Sequence, residues 1–271
     1  MKLRSSQRQQ AAYTLVELLI VVAIIIILSA MLLTGVQRVL SLGARTETLH
    51  EIKKLEQALQ VAMAKYNNIP YLPSRLVLHN DINVYRTSTD PIVQQTANVL
   101  RSMFGKRFIS NGTTVNWGGF TGNLNGAQCL VFYLGGMNGT DGFSDNPTNP
   151  TLPGGTRIGP FYQFRSNRLT PQPGYATPLM YLDPYGTPYA YFGATSKNVY
   201  NLADCVDLGV QPYLEGANRF LNPNTFQIIS AGKNKVFGPG GPIDLNNGVA
   251  NEAGADDLSN FSSTELGNPV Q

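Results

Sequence analysis

The sequence predicts an α+β protein. A long N-terminal helix, half transmembrane and half amphipathic, packs on a small antiparallel β-sheet that carries a long inserted region. Three observations lead there. From Leu18 to Val36 no residue is charged, and at roughly 1.5 Å per residue this run spans about 28 Å, close to the hydrocarbon thickness of a bilayer. Behind it, apolar residues recur at spacings of three and four, the stripe of a half-buried helix. The remainder is rich in Gly, Pro and Asn but also holds most of the chain's 13 Tyr and 12 Phe, which suits a loop-rich β domain with a core rather than disorder.

After the membrane helix, the 271-residue chain retains enough length for one sizeable soluble domain or two small ones. The formal net charge of +3 resides in Lys2, Arg4 and Arg8, ahead of the apolar run. Without them the bases equal the 17 acids. The basic pI therefore belongs to the leader and gives no reason to expect a nucleic-acid partner. These charges fit an N-terminus in the cytoplasm and a C-terminal domain outside.

One carboxylate is out of place for a plain anchor. Ala12-Tyr13-Thr14-Leu15-Val16-Glu17 leads directly into the run, with Glu17 one residue before it. A secretory signal would have a shorter core followed by a small-x-small site, but Ser29-Ala30 lies inside the run. Small residue, aromatic, Thr-Leu-x-Glu and about twenty apolar residues resemble the prepilin signal of type IV pilins and type II secretion pseudopilins. Ala12 stands where that family more often has Gly, and Tyr13 where it more often has Phe. The resemblance implies cleavage between Ala12 and Tyr13 by a prepilin peptidase, N-methylation of Tyr13, and an assembly role for Glu17. It divides the chain into a leader (1–12), a transmembrane helix (13–36), an amphipathic stem helix (37–67) and an extracytoplasmic globular domain (68–271).

In the stem, Leu49, Ile52, Leu55, Leu59, Ala62, Met63 and Tyr66 form the apolar stripe. Glu47, Glu51, Lys53, Lys54, Glu56 and Lys65 are expected on the solvated face. No Pro interrupts a rod of about 80 Å at helical rise, and Gly35 and Gly43 are its weakest points. Asn67-Asn68-Ile69-Pro70 stops the helix. The end of this segment is similar to the stem of the major pseudopilin.

Residues 74–177 form an elaborated insertion, longer than that family has. Leu76–Tyr85 and Ile92–Phe108 read as short strands or helices. Cys129–Leu134 reads as a buried strand or a short apolar helix, Gly135–Pro160 as loop, and Phe161–Phe164 as a weakly alternating strand. Beyond it, Pro178–Leu182 and Tyr189–Phe192 flank Asp183-Pro184-Tyr185-Gly186-Thr187-Pro188. Asp-Pro starts a turn and Gly permits positive φ, so the segment is a β-hairpin. It resembles the DPWGNPY hairpin of major pseudopilins, with Tyr185 in place of Trp. Phe226–Gly232 follows as a strand into a Gly turn, as in that family.

Asp256 and Asp257 close the chain's acidic segment. The resemblance implies a calcium site there, with the two carboxylates and loop carbonyls near Ser230 as the oxygen donors such an ion requires. Lys233, Asn234 and Lys235 depart from the family, which often has an acid in that loop. The alternative is an N-cap or a solvated turn. Cys129 and Cys205 could form one disulfide in an oxidising compartment or stay as two buried thiols. The tyrosines Tyr181, Tyr185, Tyr189, Tyr191 and Tyr200 read either as core or as a carbohydrate- or partner-binding face.

No catalytic motif stands above background: the chain lacks G-x-S-x-G, H-E-x-x-H, a Walker loop and G-x-G-x-x-G. The expectation is a non-enzyme: a structural subunit of a type II secretion pseudopilus. It would be a single-pass inner-membrane protein with a periplasmic C-terminal domain, forming a homopolymer with itself and other pseudopilins. The prepilin peptidase and the inner-membrane secretion platform are its implied partners. The alternatives are a type IV pilin or minor pseudopilin, and a membrane-anchored binding module or enzyme that borrows a pilin-like anchor.

Overall fold

The computed structural model describes residues 15–105, 108, 112–172, 176–247 and 252–267. It has the expected α+β composition: an N-terminal apolar helix followed by small, mostly antiparallel sheets. The chain divides into two compact units, Met1–Gly43 and Ala44–Gln271. Helix α1, Leu15–Lys65, supplies residues to both. In the first unit it is apolar and exposed from Leu18 to Leu32.

In the second unit the stripe does what its spacing demands. Ile52, Leu55, Leu59, Ala62 and Tyr66 are buried, and each large apolar side chain so placed contributes about 1.5–3 kcal/mol. Asn67 and Asn68 then take left-handed φ of 56° and 52°. Ile69 N reaches back to Met63 O at 3.2 Å, satisfying a terminal carbonyl. Glu51 departs from expectation. It is buried at 5% exposure rather than on the solvated face. Its carboxylate accepts from Tyr162 Oη (3.0 Å), Tyr181 Oη (2.9 Å) and Tyr189 Oη (2.7 Å), and pairs with both terminal nitrogens of Arg168. Burial alone would raise its pKa. The Arg168 and tyrosine partners outweigh that and hold it below the usual carboxylate value.

The segment expected as an insertion, residues 74–177, shares one core with the stem. Strand β1 (Leu76–Leu78) pairs with β2 (Gly122–Leu124), and helices α2 (Ile82–Thr87) and α3 (Pro91–Phe104) lie between them in sequence. Asp90 caps α3 by accepting from Ile92 N, with Pro91 in the first turn. Helix α4, Gly126–Gly135, settles the ambiguity at Cys129–Leu134 in favour of helix. Asn125 and Gln128 form a reciprocal capping box at its start, and the whole helix is buried. Tyr66 Oη donates to Tyr133 O (2.7 Å) and Tyr133 Oη to Pro73 O (2.8 Å), tying the end of α1 to α4. Phe161–Phe164 is not a strand. Its backbone leaves the ladder pattern because Phe161 N bonds to Leu134 O at the end of α4. The short pairs β3 (Phe143–Ser144) with β4 (Arg157–Ile158), and β5 (Leu169–Pro171) with β6 (Leu179–Tyr181), complete this region.

The central sheet is β7 (Ala190–Gly193), β10 (Phe226–Ser230) and β12 (Leu258–Ser259), with β10 in the middle. Side chains alternate across it. Tyr191, Phe226 and Ile228 face the core that includes the stem, while Ala190, Phe192 and Ile229 face a second core with Tyr213 and Phe237. Both faces are covered, so β7 and β10 are buried throughout. Buried Gln227 is satisfied by bridging the backbone of Tyr213 and Leu221 at 2.8 Å. Strand β8 (Tyr213–Glu215) pairs antiparallel with β9 (Arg219–Phe220) and parallel with β11 (Gly241–Ile243). Gly193 admits no side chain, since a Cβ there would lie 1.8 Å from Leu72 O.

The expected hairpin is present, joined by a Leu182–Pro188 bridge. Asp183 organises its turn: Oδ1 accepts from Tyr185 N and Thr187 N at 2.9 Å, and Oδ2 accepts from Ser230 Oγ at 2.6 Å. Of the two alternatives for Cys129 and Cys205, the structure has two free, buried thiols rather than a disulfide. Cys205 Sγ faces Tyr191 O at 3.4 Å and Cys129 Sγ faces Leu124 O at 3.9 Å, so each is engaged locally.

Replacing Glu51 by Ala strands a guanidinium whose side chain is 12% exposed. The expected loss is about 3–5 kcal/mol. Trp117, the chain's one tryptophan and fully buried, reports it. Urea unfolding of the full chain, followed by Trp117 emission, should show a clearly lower midpoint for Glu51→Ala than for the parent. An unchanged midpoint refutes the role given to Glu51.

Candidate functional site

Two places carry the expected functional residues. The first is the N-terminal segment. Ala12 and Tyr13, the expected processing pair, lie outside the described residues. Glu17 falls in the first turn of α1, where the helix dipole favours a carboxylate. The helix that follows is long and apolar enough to cross a membrane: Leu15–Leu32 has a mean hydropathy of 3.1 and no buried residue. An acid at the threshold of such a helix is costly in hydrocarbon, roughly 2.5–3.5 kcal/mol at the bilayer centre, and such residues generally serve a function.

The second place is the acidic loop, which strand β10 delivers. After Ser230 the chain turns at Gly232, whose φ is +63°. A Cβ there would lie 2.1 Å from Asp256 O, so only glycine allows the two loops to meet. Asp256 Oδ2 accepts from Asn234 N (2.7 Å), and Asn234 Nδ2 donates to Ala253 O (2.8 Å). Asp257 is buried. Its Oδ2 accepts from Gly238 N (2.9 Å) and Tyr213 Oη (3.3 Å), while its carbonyl accepts from Leu266 N. The remaining oxygens, Asp256 Oδ1 and Asp257 Oδ1, are buried without a hydrogen-bond partner. The solvated-turn alternative is therefore wrong for Asp257.

Burial pushes the Asp257 carboxyl up to about 7. The Asp256 charge adds to this, and the Gly238 amide and Tyr213 hydroxyl only partly oppose it. Asp256 and Asp257, adjacent in sequence, each keep one carboxylate oxygen without a hydrogen-bond partner, and carboxylate oxygens are the donors a hard cation takes. Among the described residues no third His, Cys, Asp or Glu joins them, so further donors would be backbone carbonyls. Lys233 and Lys235, which would oppose a cation, are both exposed.

The tyrosines expected as a possible binding face do not form one. Tyr181, Tyr189, Tyr191 and Tyr200 are buried and Tyr185 is partly so. Their hydroxyls serve Glu51, Leu72 O and Asn222 O. Sequence reasoning passed over Glu51. The available signal was its place three residues after Thr48 and four before Leu55, on the buried stripe.

This architecture, an apolar N-terminal helix followed by small antiparallel sheets, is consistent with a pilin-like fold. Residues 7–33 match the family described as the prokaryotic N-terminal methylation motif. The chain thus carries a type IV pilin-like signal. No curated protein and no solved structure matches it.

The Asp257 geometry has a pH signature. Its folded-state pKa is raised above the ordinary 3.8, so the folded state binds the proton more tightly than the unfolded chain. The associated stability is present at low pH and is lost as pH rises through about 7. In EDTA, the thermal midpoint should fall between pH 5 and pH 8, and Asp257→Asn should flatten that slope. An identical slope in the variant contradicts the assignment.

Proposed function

We propose that the chain is a structural, non-catalytic subunit of a pilin-type filament, specifically the pseudopilus of a type II secretion system. The observation that carries the class is Glu17 in the first turn of an exposed apolar helix, inside the matched methylation motif. The N-terminal helices pack side by side in this reading, with the globular units outward. The carboxylate of Glu17 takes the N-terminal amine of a neighbour, at Tyr13, as its counter-ion. That pairing sets the register of each incoming subunit.

The pseudopilin assignment is supported by the Asp183–Tyr189 hairpin, the β10 strand into the Gly232 turn, and the acidic loop. The chain is proposed to sit in the inner membrane with its N-terminus cytoplasmic and its C-terminal unit periplasmic. It is processed by a prepilin peptidase and assembled on the secretion platform. Calcium is the proposed ligand of Asp256 and Asp257, which would join the loops after β10 and before β12. Its binding would be strongest where Asp257 is ionised, so added calcium should raise the thermal midpoint more at pH 8 than at pH 5.

Intact mass of the membrane-purified chain should show a species beginning at methylated Tyr13. Glu17→Ala should insert into the membrane at parental levels and give no cross-linked multimers. Parental multimers in that variant, or a chain still beginning at Met1, overturn the proposal.

A further inference from the structure

A cleft of about 350 Å³ lies between the β2–α4 junction and the turn at Asp204–Asp207. It falls in the size range of small-molecule sites, about 300–1,000 Å³. Neither the filament reading nor the acidic loop uses it. Its polar groups come from four separate segments and are already oriented. Asn125 Nδ2 donates to Asp207 Oδ2 at 2.7 Å, and the capping box fixes Asn125 against Gln128. Gln128 Nε2 donates to Gln172 Oε1 at 3.1 Å, which leaves the Gln172 NH₂ group as a donor. Gln128 and Asp204 are almost wholly buried, yet both line the cleft.

Charge narrows the ligand. Among the described residues, Arg75 is the one cation lining the cleft. Its Nε lies 3.0 Å from Asp204 Oδ1, an ion-pair contact off the N–H axis, and its Nη2 donates to Ala203 O at 2.8 Å. With Asp204 neutralising Arg75 and Asp207 adding a further carboxylate, an anion is repelled. A bound metal is disfavoured as well, since no three acidic, Cys or His groups converge among the described residues. What remains is a set of amides and carboxylates, each able to pair with hydroxyls, beside the half-exposed ring of Phe120. That ring offers an apolar face to the C–H side of a sugar.

We propose that this cleft binds a neutral saccharide of one or two pyranose rings. Gln172, Asn125 and Asp207 would take its hydroxyls, and Phe120 would stack on its face. The inference is independent of filament assembly.

The test uses the full chain in lipid nanodiscs, because alkyl-glycoside detergents would compete. Saturation-transfer NMR is run with cellobiose, maltose, lactose and N,N′-diacetylchitobiose as probes. At least one should receive transfer, and its affinity should fall by about tenfold or more in both Gln172→Ala and Asp207→Ala. Unchanged Trp117 emission in the variants shows that the fold is kept. No transfer to any probe overturns the proposal, as does equal transfer in the variants. Binding of inorganic phosphate that the same substitutions abolish would make this an anion site and overturn it too.

Discussion

The globular unit depends on one buried carboxylate. Glu51 is the point at which the stem helix meets Tyr162 and Arg168 in the loops before β5, and Tyr181 and Tyr189 at the base of the hairpin. A charge taken out of water needs its partners in good geometry. Here three hydroxyls and a guanidinium satisfy it, and the Arg168 guanidinium also lies over the Tyr181 ring at 4.5 Å. Few alternative packings of the stem could satisfy this carboxylate equally well. The apolar stripe supplies the bulk of the attraction, and Glu51 adds directional contacts to it.

Residues 74–177, expected as an insertion, extend the core rather than hang from it. Trp117, Phe132 and Phe143 pack in the cluster that also contains Leu55 and Leu59 of the stem. Trp117 and Phe132 sit 6.0 Å apart, and Phe132 and Phe143 4.8 Å, in edge or tilted geometry. The polar ends of this aromatic group are met by backbone: Trp117 Nε1 donates to His79 O, and Tyr85 Oη donates to Val77 O. Residues read as an accessory thus became structural, and the same packing formed the cleft beside α4.

Past the C-terminal end of β10, tight backbone approach replaces side-chain packing. Gly232 meets Asp256 O, and Gly238 meets Gly254 so closely that a Cβ at Gly238 would lie 2.9 Å from the Gly254 Cα. The acidic loop is drawn under cover with two carboxylate oxygens left unpartnered.

Local pattern by itself determined the apolar helix with its carboxylate at Glu17, the helix stop at Asn67–Pro70, the Asp183–Pro188 turn and the β10 strand. Each depends on residues close in sequence: hydropathy, spacing, or the φ preferences of Asn, Pro and Gly. It did not decide Phe161–Phe164, whose weak alternation lost to a backbone bond from the end of α4. Nor did it show that Cys129 and Cys205 stay as thiols. Glu51 was misjudged because charge suggests solvent, and only partners more than 110 positions away make its burial affordable. The cleft was invisible for the same reason. Asn125, Gln172 and Asp207 are distant in the chain, and only the tertiary structure brings them together, because a hydrogen bond depends on distance in space and not on separation in sequence.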